Sequence, residues 1–62
     1  MLKILVVDDE QSMRDFLKIL LLKEGHDVIT AEDGKKALTC IQKETFDLVI
    51  SDIRMPRMTG LE

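Results

Sequence analysis

Three aspartates stand at the ends of two short apolar runs. Ile4-Leu5-Val6-Val7 leads into Asp8-Asp9, and Leu48-Val49-Ile50-Ser51 leads into Asp52. Apolar runs without polar alternation read as strands covered on both faces, the pattern of parallel sheets. Open parallel sheets bind ligands outside the carboxyl ends of their strands. The reading therefore places three carboxylates on the functional edge of one sheet. Carboxylates crowded together repel one another, and a cation relieves that repulsion. Magnesium suits such a donor set, since it takes oxygen ligands at ~2.0–2.1 Å and keeps several waters. An aspartate beside that metal is also a nucleophile able to form an aspartyl phosphate. Asp52 stands alone at its strand end, which makes it the candidate for attack, with Asp8 and Asp9 the candidates for the metal. Glu10 reads as a surface residue.

The elements that must position these groups follow from spacing. Residues 3–7 form the first strand. Ser12 with Asp15 three residues on has the form of a capping box, so a helix is expected to begin there. Met13, Phe16, Leu17, Leu20 and Leu21 share one face of that helix, and Gly25 is placed to cap its end. Residues 28–31 are the second strand. Asp33-Gly34 marks a turn and an N-cap, and Ala37, Leu38 and Ile41 supply the apolar face of a second helix. Residues 46–51 are the third strand. The order β-α-β-α-β implies parallel strands joined by right-handed crossovers. With one helix on each face, the first strand lies in the centre, and the sheet order is 2-1-3. Asp8-Asp9 and Asp52 then meet where the strand order reverses. Met55-Pro56 returns the chain to a loop, and Thr59-Gly60-Leu61-Glu62 has the form of a further capping box.

Composition narrows the class. The chain has 62 residues, 34% of them charged and 45% apolar, with a formal net charge of −3. That balance is globular rather than disordered, and the acidic sign argues against a nucleic-acid surface. The first apolar run is too short for a signal-peptide core or a membrane span, so the expected location is cytoplasmic. With a single cysteine, Cys40, there is no intrachain disulfide; it reads as packing on the second helix. His26 has no neighbouring histidine or cysteine, and a structural or solvent-facing role is favoured over a chemical one.

The chain closely resembles the receiver domains of two-component response regulators. The matching stretches are residues 4–10, 25–28, 31–38 and above all Phe46-Asp47-Leu48-Val49-Ile50-Ser51-Asp52-Ile53-Arg54-Met55-Pro56, continued by residues 58–62. Residues 52–62 look most like receivers of the NtrC type, which regulate transcription. The resemblance implies a flavodoxin-like α/β fold. It implies that Asp52 is the phosphoacceptor for a sensor histidine kinase. It also implies that Asp8 and Asp9, with Asp52 and the main-chain carbonyl of Arg54, hold Mg2+. Such a protein is a phosphoacceptor module rather than an enzyme, at most catalysing its own phosphorylation with magnesium. The haloacid dehalogenase type, which also forms an aspartyl phosphate, wants a second aspartate two residues after the nucleophile; Arg54 stands there.

Residues 1–62 are expected to be the N-terminal half of a receiver domain, cut at the start of its third helix. The family completes its site with a hydroxyl residue after a fourth strand and a lysine after a fifth. Ile19 and Leu22 point away from the main stripe of the first helix, and the third strand is expected to be an open apolar edge. Open edges pair with other chains. A homodimer or oligomer through that edge and the first helix is therefore expected, with a sheet order 2-1-3-3′-1′-2′ across a two-fold axis. The alternative to a phosphoacceptor is a self-associating half-domain with an incomplete, non-signalling site.

Overall fold

The computed structural model describes residues 1–51. They form β1 (Lys3–Val7), α1 (Gln11–Lys23), β2 (Asp27–Ala31), α2 (Gly34–Lys43) and β3 (Leu48–Ser51). The three strands make one parallel sheet in the order β2-β1-β3, as the alternation of strands and helices required. Its register is even on both sides. Val7 stands beside Ala31 on one flank and Ser51 on the other.

The core is β1. Ile4, Leu5, Val6 and Val7 are each no more than 1% exposed, and full burial of such side chains contributes roughly 1.5–3 kcal/mol apiece. Successive side chains of a strand point to opposite faces, so one strand feeds two cores. Ile4 and Val6 pack with Val28 beneath Leu17 and Leu21 of α1, with Ile50 alongside. Leu5 and Val7 pack with Ala31, Ala37 of α2, Ile29, Cys40 and Phe46. Helices thus cover opposite faces, and Cys40 is a packing residue.

Local chemistry ends the elements. Gly25 takes φ +90, open to glycine at little steric cost, and its N–H donates to the Leu22 carbonyl at 3.0 Å. Asp33 caps α2, its Oδ1 accepting the Lys36 N–H at 2.8 Å. The start of α1 differs from expectation. Its N-cap is Glu10, whose side chain makes no capping bond, and Ser12 lies inside the first turn. The reason is Asp8, whose side chain takes the Glu10 N–H and turns the chain early. β3 also begins two residues later than its apolar run suggests, at Leu48.

The stripe of α1 is narrower than its sequence. Leu17 and Leu21 reach the core, whereas Met13, Phe16 and Leu20 are 40%, 60% and 46% exposed. Three strands span only about 10 Å from first to last, roughly one helix diameter. The sheet therefore covers a line of side chains, and the flanks overhang. Ile19 and Leu22 are exposed as expected, and so are Leu38 and Ile41 of α2, which were expected inward.

The two cap assignments have separable consequences. Asp33→Ala is expected to lower stability by about 1 kcal/mol, the usual cost of losing an N-cap side chain. Ser12→Ala is expected to change it by no more than a few tenths. Urea denaturation of both variants checks the pair.

Candidate functional site

The acidic edge is built where β1 runs out. Asp8 follows Val7 and keeps one ladder bond, its N–H donating to the Ala31 carbonyl at 3.1 Å. That bond carries the residue deep enough to be only 5% exposed. A buried carboxylate needs hydrogen bonds. Oδ1 of Asp8 accepts the Glu10 N–H at 2.9 Å, two residues on, and closes a tight turn. The Asp8 carbonyl accepts Nη1 of Arg14 at 2.7 Å, and the Arg14 N–H donates to the Glu10 carbonyl at 3.1 Å. Strand end, turn and first helical turn are therefore one hydrogen-bonded unit. Asp9, between them, is exposed.

No cationic side chain meets the Asp8 carboxylate among the described residues. Their ion pairs are Lys3–Glu44 and Lys36–Glu32, and the Arg14 contact is to the carbonyl. Lys3 lies at the opposite end of β1. Its ammonium is held above the ordinary lysine range by its hydrogen bond to Glu44, assisted by the charges of Glu44 and Asp27. A carboxylate that is buried, hydrogen-bonded on one side and beside a second carboxylate has the donor chemistry of a hard-cation site. Among the described residues no third histidine, cysteine or acidic side chain joins the pair. Asp52 and Arg54 lie outside the described residues, as do Met55-Pro56 and residues 59–62.

Beside Asp8 an open groove of about 250 Å3 is lined by Val7, Asp8, Met13, Leu17, Ile50 and Ser51. It sits at the carboxyl ends of β1 and β3, on the α1 side, the position that open parallel sheets use for ligands. The register pairs Val7 with Ser51, and in sequence Asp8 and Asp52 each come next.

Arg14 is the residue that sequence reasoning passed over. Its signal was faint: a lone basic residue in the first turn of a helix after an acidic pair, indistinguishable from any solvated arginine. His26 proves structural, its Nδ1 accepting the Leu2 N–H at 3.1 Å.

Comparison with known proteins follows the same lines. The family model described as the response regulator receiver domain matches residues 4–62. The chain is 48% identical over 60 residues to the CAI-1 autoinducer sensor kinase/phosphatase CqsS of Vibrio cholerae, covering 97% of this chain and 9% of that protein. It is 47% identical over 60 residues to the alkaline phosphatase synthesis transcriptional regulatory protein PhoP of Bacillus subtilis, covering 97% of this chain and 25% of the relative. The transcriptional regulatory protein GlrR of Escherichia coli is 42% identical over 59 residues, covering 95% of this chain and 13% of that protein. The chain thus spans a quarter or less of the length of these relatives. No solved structure matches it.

The Asp8 arrangement predicts an unusual stability response. Asp8→Asn keeps an oxygen for the Glu10 N–H and removes a buried charge that meets no cationic side chain among the described residues. Without divalent cations the variant is expected to be more stable than the parent, by about 1 kcal/mol on the scale of such buried-group changes. Chemical denaturation in chelator checks the sign.

Proposed function

The chain belongs to the response regulator receiver family, and from that membership we propose that it accepts a phosphoryl group from a sensor histidine kinase onto Asp52, with Mg2+ held by Asp8, Asp9, Asp52 and the main-chain carbonyl of Arg54. Residues 1–62 correspond in this reading to the N-terminal half of a receiver domain. The native output is transcription regulation, and the site of action is the cytoplasm. Among the described residues no helix is long and apolar enough to cross a membrane.

The observation that carries the reading is the shared edge. Asp8 lies buried at the end of β1 with Asp9 beside it, and β3 runs in step with β1 up to the residue before Asp52. A carboxylate oxygen of Asp52 bonds to phosphorus as the phosphorus–nitrogen bond to the kinase histidine breaks. Asp8, fixed by the Glu10 N–H and by Arg14 on its carbonyl, presents its remaining oxygen without reorganisation. Asp9, exposed, completes the pair from the solvent side. Magnesium, when bound, neutralises these carboxylates and the phosphoryl oxygens, which is most of what a loose phosphoryl transfer asks.

Incubation with acetyl phosphate and magnesium is the test. The chain is expected to gain the mass of one phosphoryl group, the gain to vanish in chelator and in Asp52→Ala, and to persist in Asp15→Ala, an exposed helical control. A folded chain that stays unmodified, or a gain that survives Asp52→Ala, removes the proposal.

A second reading rests on exposed apolar surface. Phe16, Ile19 and Leu20 on α1 and Leu48 and Val49 on β3 are 43–62% exposed. Among the described residues β3 pairs only with β1. This is the surface of a self-associating module, two copies joined about a two-fold axis through β3 and α1. Sedimentation over a dilution series is expected to show a dimer that Phe16→Asp returns to monomer. A folded monomer throughout excludes it.

A further inference from the structure

Asp47 lies at the opposite end of the sheet from the acidic edge, five residues before Asp52. Two of its hydrogen-bonding groups meet a single residue of β1. Its Oδ2 accepts the Lys3 N–H at 2.8 Å, and its own N–H donates to the Lys3 carbonyl at 2.8 Å. The other flank of β1 has a matching arrangement one residue earlier. The Leu2 N–H goes to Nδ1 of His26 at 3.1 Å, and the Leu2 carbonyl accepts the Asp27 N–H at 2.8 Å. The head of the central strand is thus clamped to each neighbour by one side-chain acceptor and one main-chain donor.

The clamp on β3 has more to decide. Alternating apolar and polar residues fix a strand's register, because a one-residue slip turns the wrong side chains inward. β3 lacks alternation. Leu48, Val49 and Ile50 are consecutive and apolar, so a slip that puts Val49 in the place of half-buried Ile50 exchanges one apolar residue for another. The strand has four residues and a parallel partner, and parallel pairing is the slightly weaker kind. The apolar pattern opposes that slip only weakly, and the Asp47–Lys3 pair is a further constraint against it. A slip of one residue carries Ser51, the last residue of β3, about 3.3 Å along the strand and turns its side chain to the other face. Reaction needs its atoms within about 3–3.5 Å of one another, and a 1 Å misplacement can lower a rate about a hundredfold.

We propose that Asp47 is a positioning residue that sets the β1–β3 register through its paired hydrogen bonds to Lys3, and thereby holds Ser51, the residue before Asp52 in sequence, in step with Val7, the residue before Asp8. The assignment rests on Asp52 being the phosphoacceptor, so it is tested by two readouts that fail separately.

The first is the initial rate of phosphorylation by acetyl phosphate with magnesium, expressed per folded molecule on the protein as encoded. Asp47→Ala is expected to be slower by about tenfold or more. Asp47→Asn keeps both an oxygen acceptor and the N–H and is expected to stay within about twofold of the parent. Val28→Ala, which loosens the core without touching Lys3, is expected to leave the rate per folded molecule unchanged. Equal rates for Asp47→Ala and Val28→Ala reduce Asp47 to a stabilising residue and overturn the proposal. The second readout is magnetic resonance: cross-strand contacts of Ile4 with Leu48 and Val7 with Ser51, and hydrogen exchange at the Lys3 N–H. Asp47→Ala is expected to lose protection at Lys3 and to weaken or shift those contacts. Unchanged contacts overturn the proposal whatever the chemistry does. Shifted contacts in a chain that is never phosphorylated uphold the register assignment and remove the functional reading instead. Should Asp47→Ala fail to fold, Asp47→Glu, which displaces the carboxylate by one methylene, is expected to slow the reaction with the fold intact; a parental rate in that variant counts against the proposal.

Discussion

Everything in this fold hangs on the burial of four consecutive residues of one strand, Ile4 to Val7. β1 is covered by a helix on each face and paired with a strand on each edge. A strand in that position has no water to satisfy its polar backbone, so both edges must be matched by neighbours. Nor can its side chains be polar on either face, which is why Ile4, Leu5, Val6 and Val7 follow one another without a break. Polar side chains stand only at the two ends of this run, Lys3 before it and Asp8 after it. The acidic edge is thus a consequence of the strand's burial: charge collects at the first place the core permits it.

That placement also explains how a buried carboxylate is tolerated. Asp8 remains in the ladder through its N–H, while its side chain and carbonyl are both used to begin α1. Removing charge from water is costly unless hydrogen bonds replace the lost solvation. Here a main-chain N–H meets the carboxylate and a guanidinium meets the carbonyl, and among the described residues no cationic side chain pairs with the carboxylate. A buried carboxylate held in one orientation has the donor chemistry of a hard-cation site. Structural economy and functional readiness have the same origin.

A three-stranded sheet cannot cover two amphipathic helices completely. The unburied flank of α1, with Phe16, Ile19 and Leu20, and the outer side chains of β3 follow from that width. Helices of this kind hold themselves to the sheet by a line of contacts, Leu17 with Leu21 in α1 and Ala37 with Cys40 in α2. The remaining apolar surface is available to a neighbour, whether a second copy or another part of a longer protein.

Much of this was legible in the residues themselves. The continuous apolar runs gave three strands, the alternation with helices gave the order 2-1-3, and Gly25 and Asp33 marked helix ends, because each depends on local backbone chemistry and short-range periodicity. The acidic pair was legible for the same reason, as the end of a run that could not tolerate charge. Receiver membership was legible in the spacing of the motifs from Asp8 to Glu62. Four features were decided only by the tertiary structure. Whether Phe16 and Leu20 are buried depends on the width of a sheet that helical periodicity does not know. The start of α1 passed from Ser12 to Glu10 because a side chain from the preceding strand competed for the turn. Arg14 acquired a role only when the fold brought it to the Asp8 carbonyl. Asp47 and His26 became hydrogen-bond partners of the chain at the head of β1 only when segments distant in sequence were laid side by side. Sequence determines what each segment can become; the meeting of distant backbones decides which polar group each one holds.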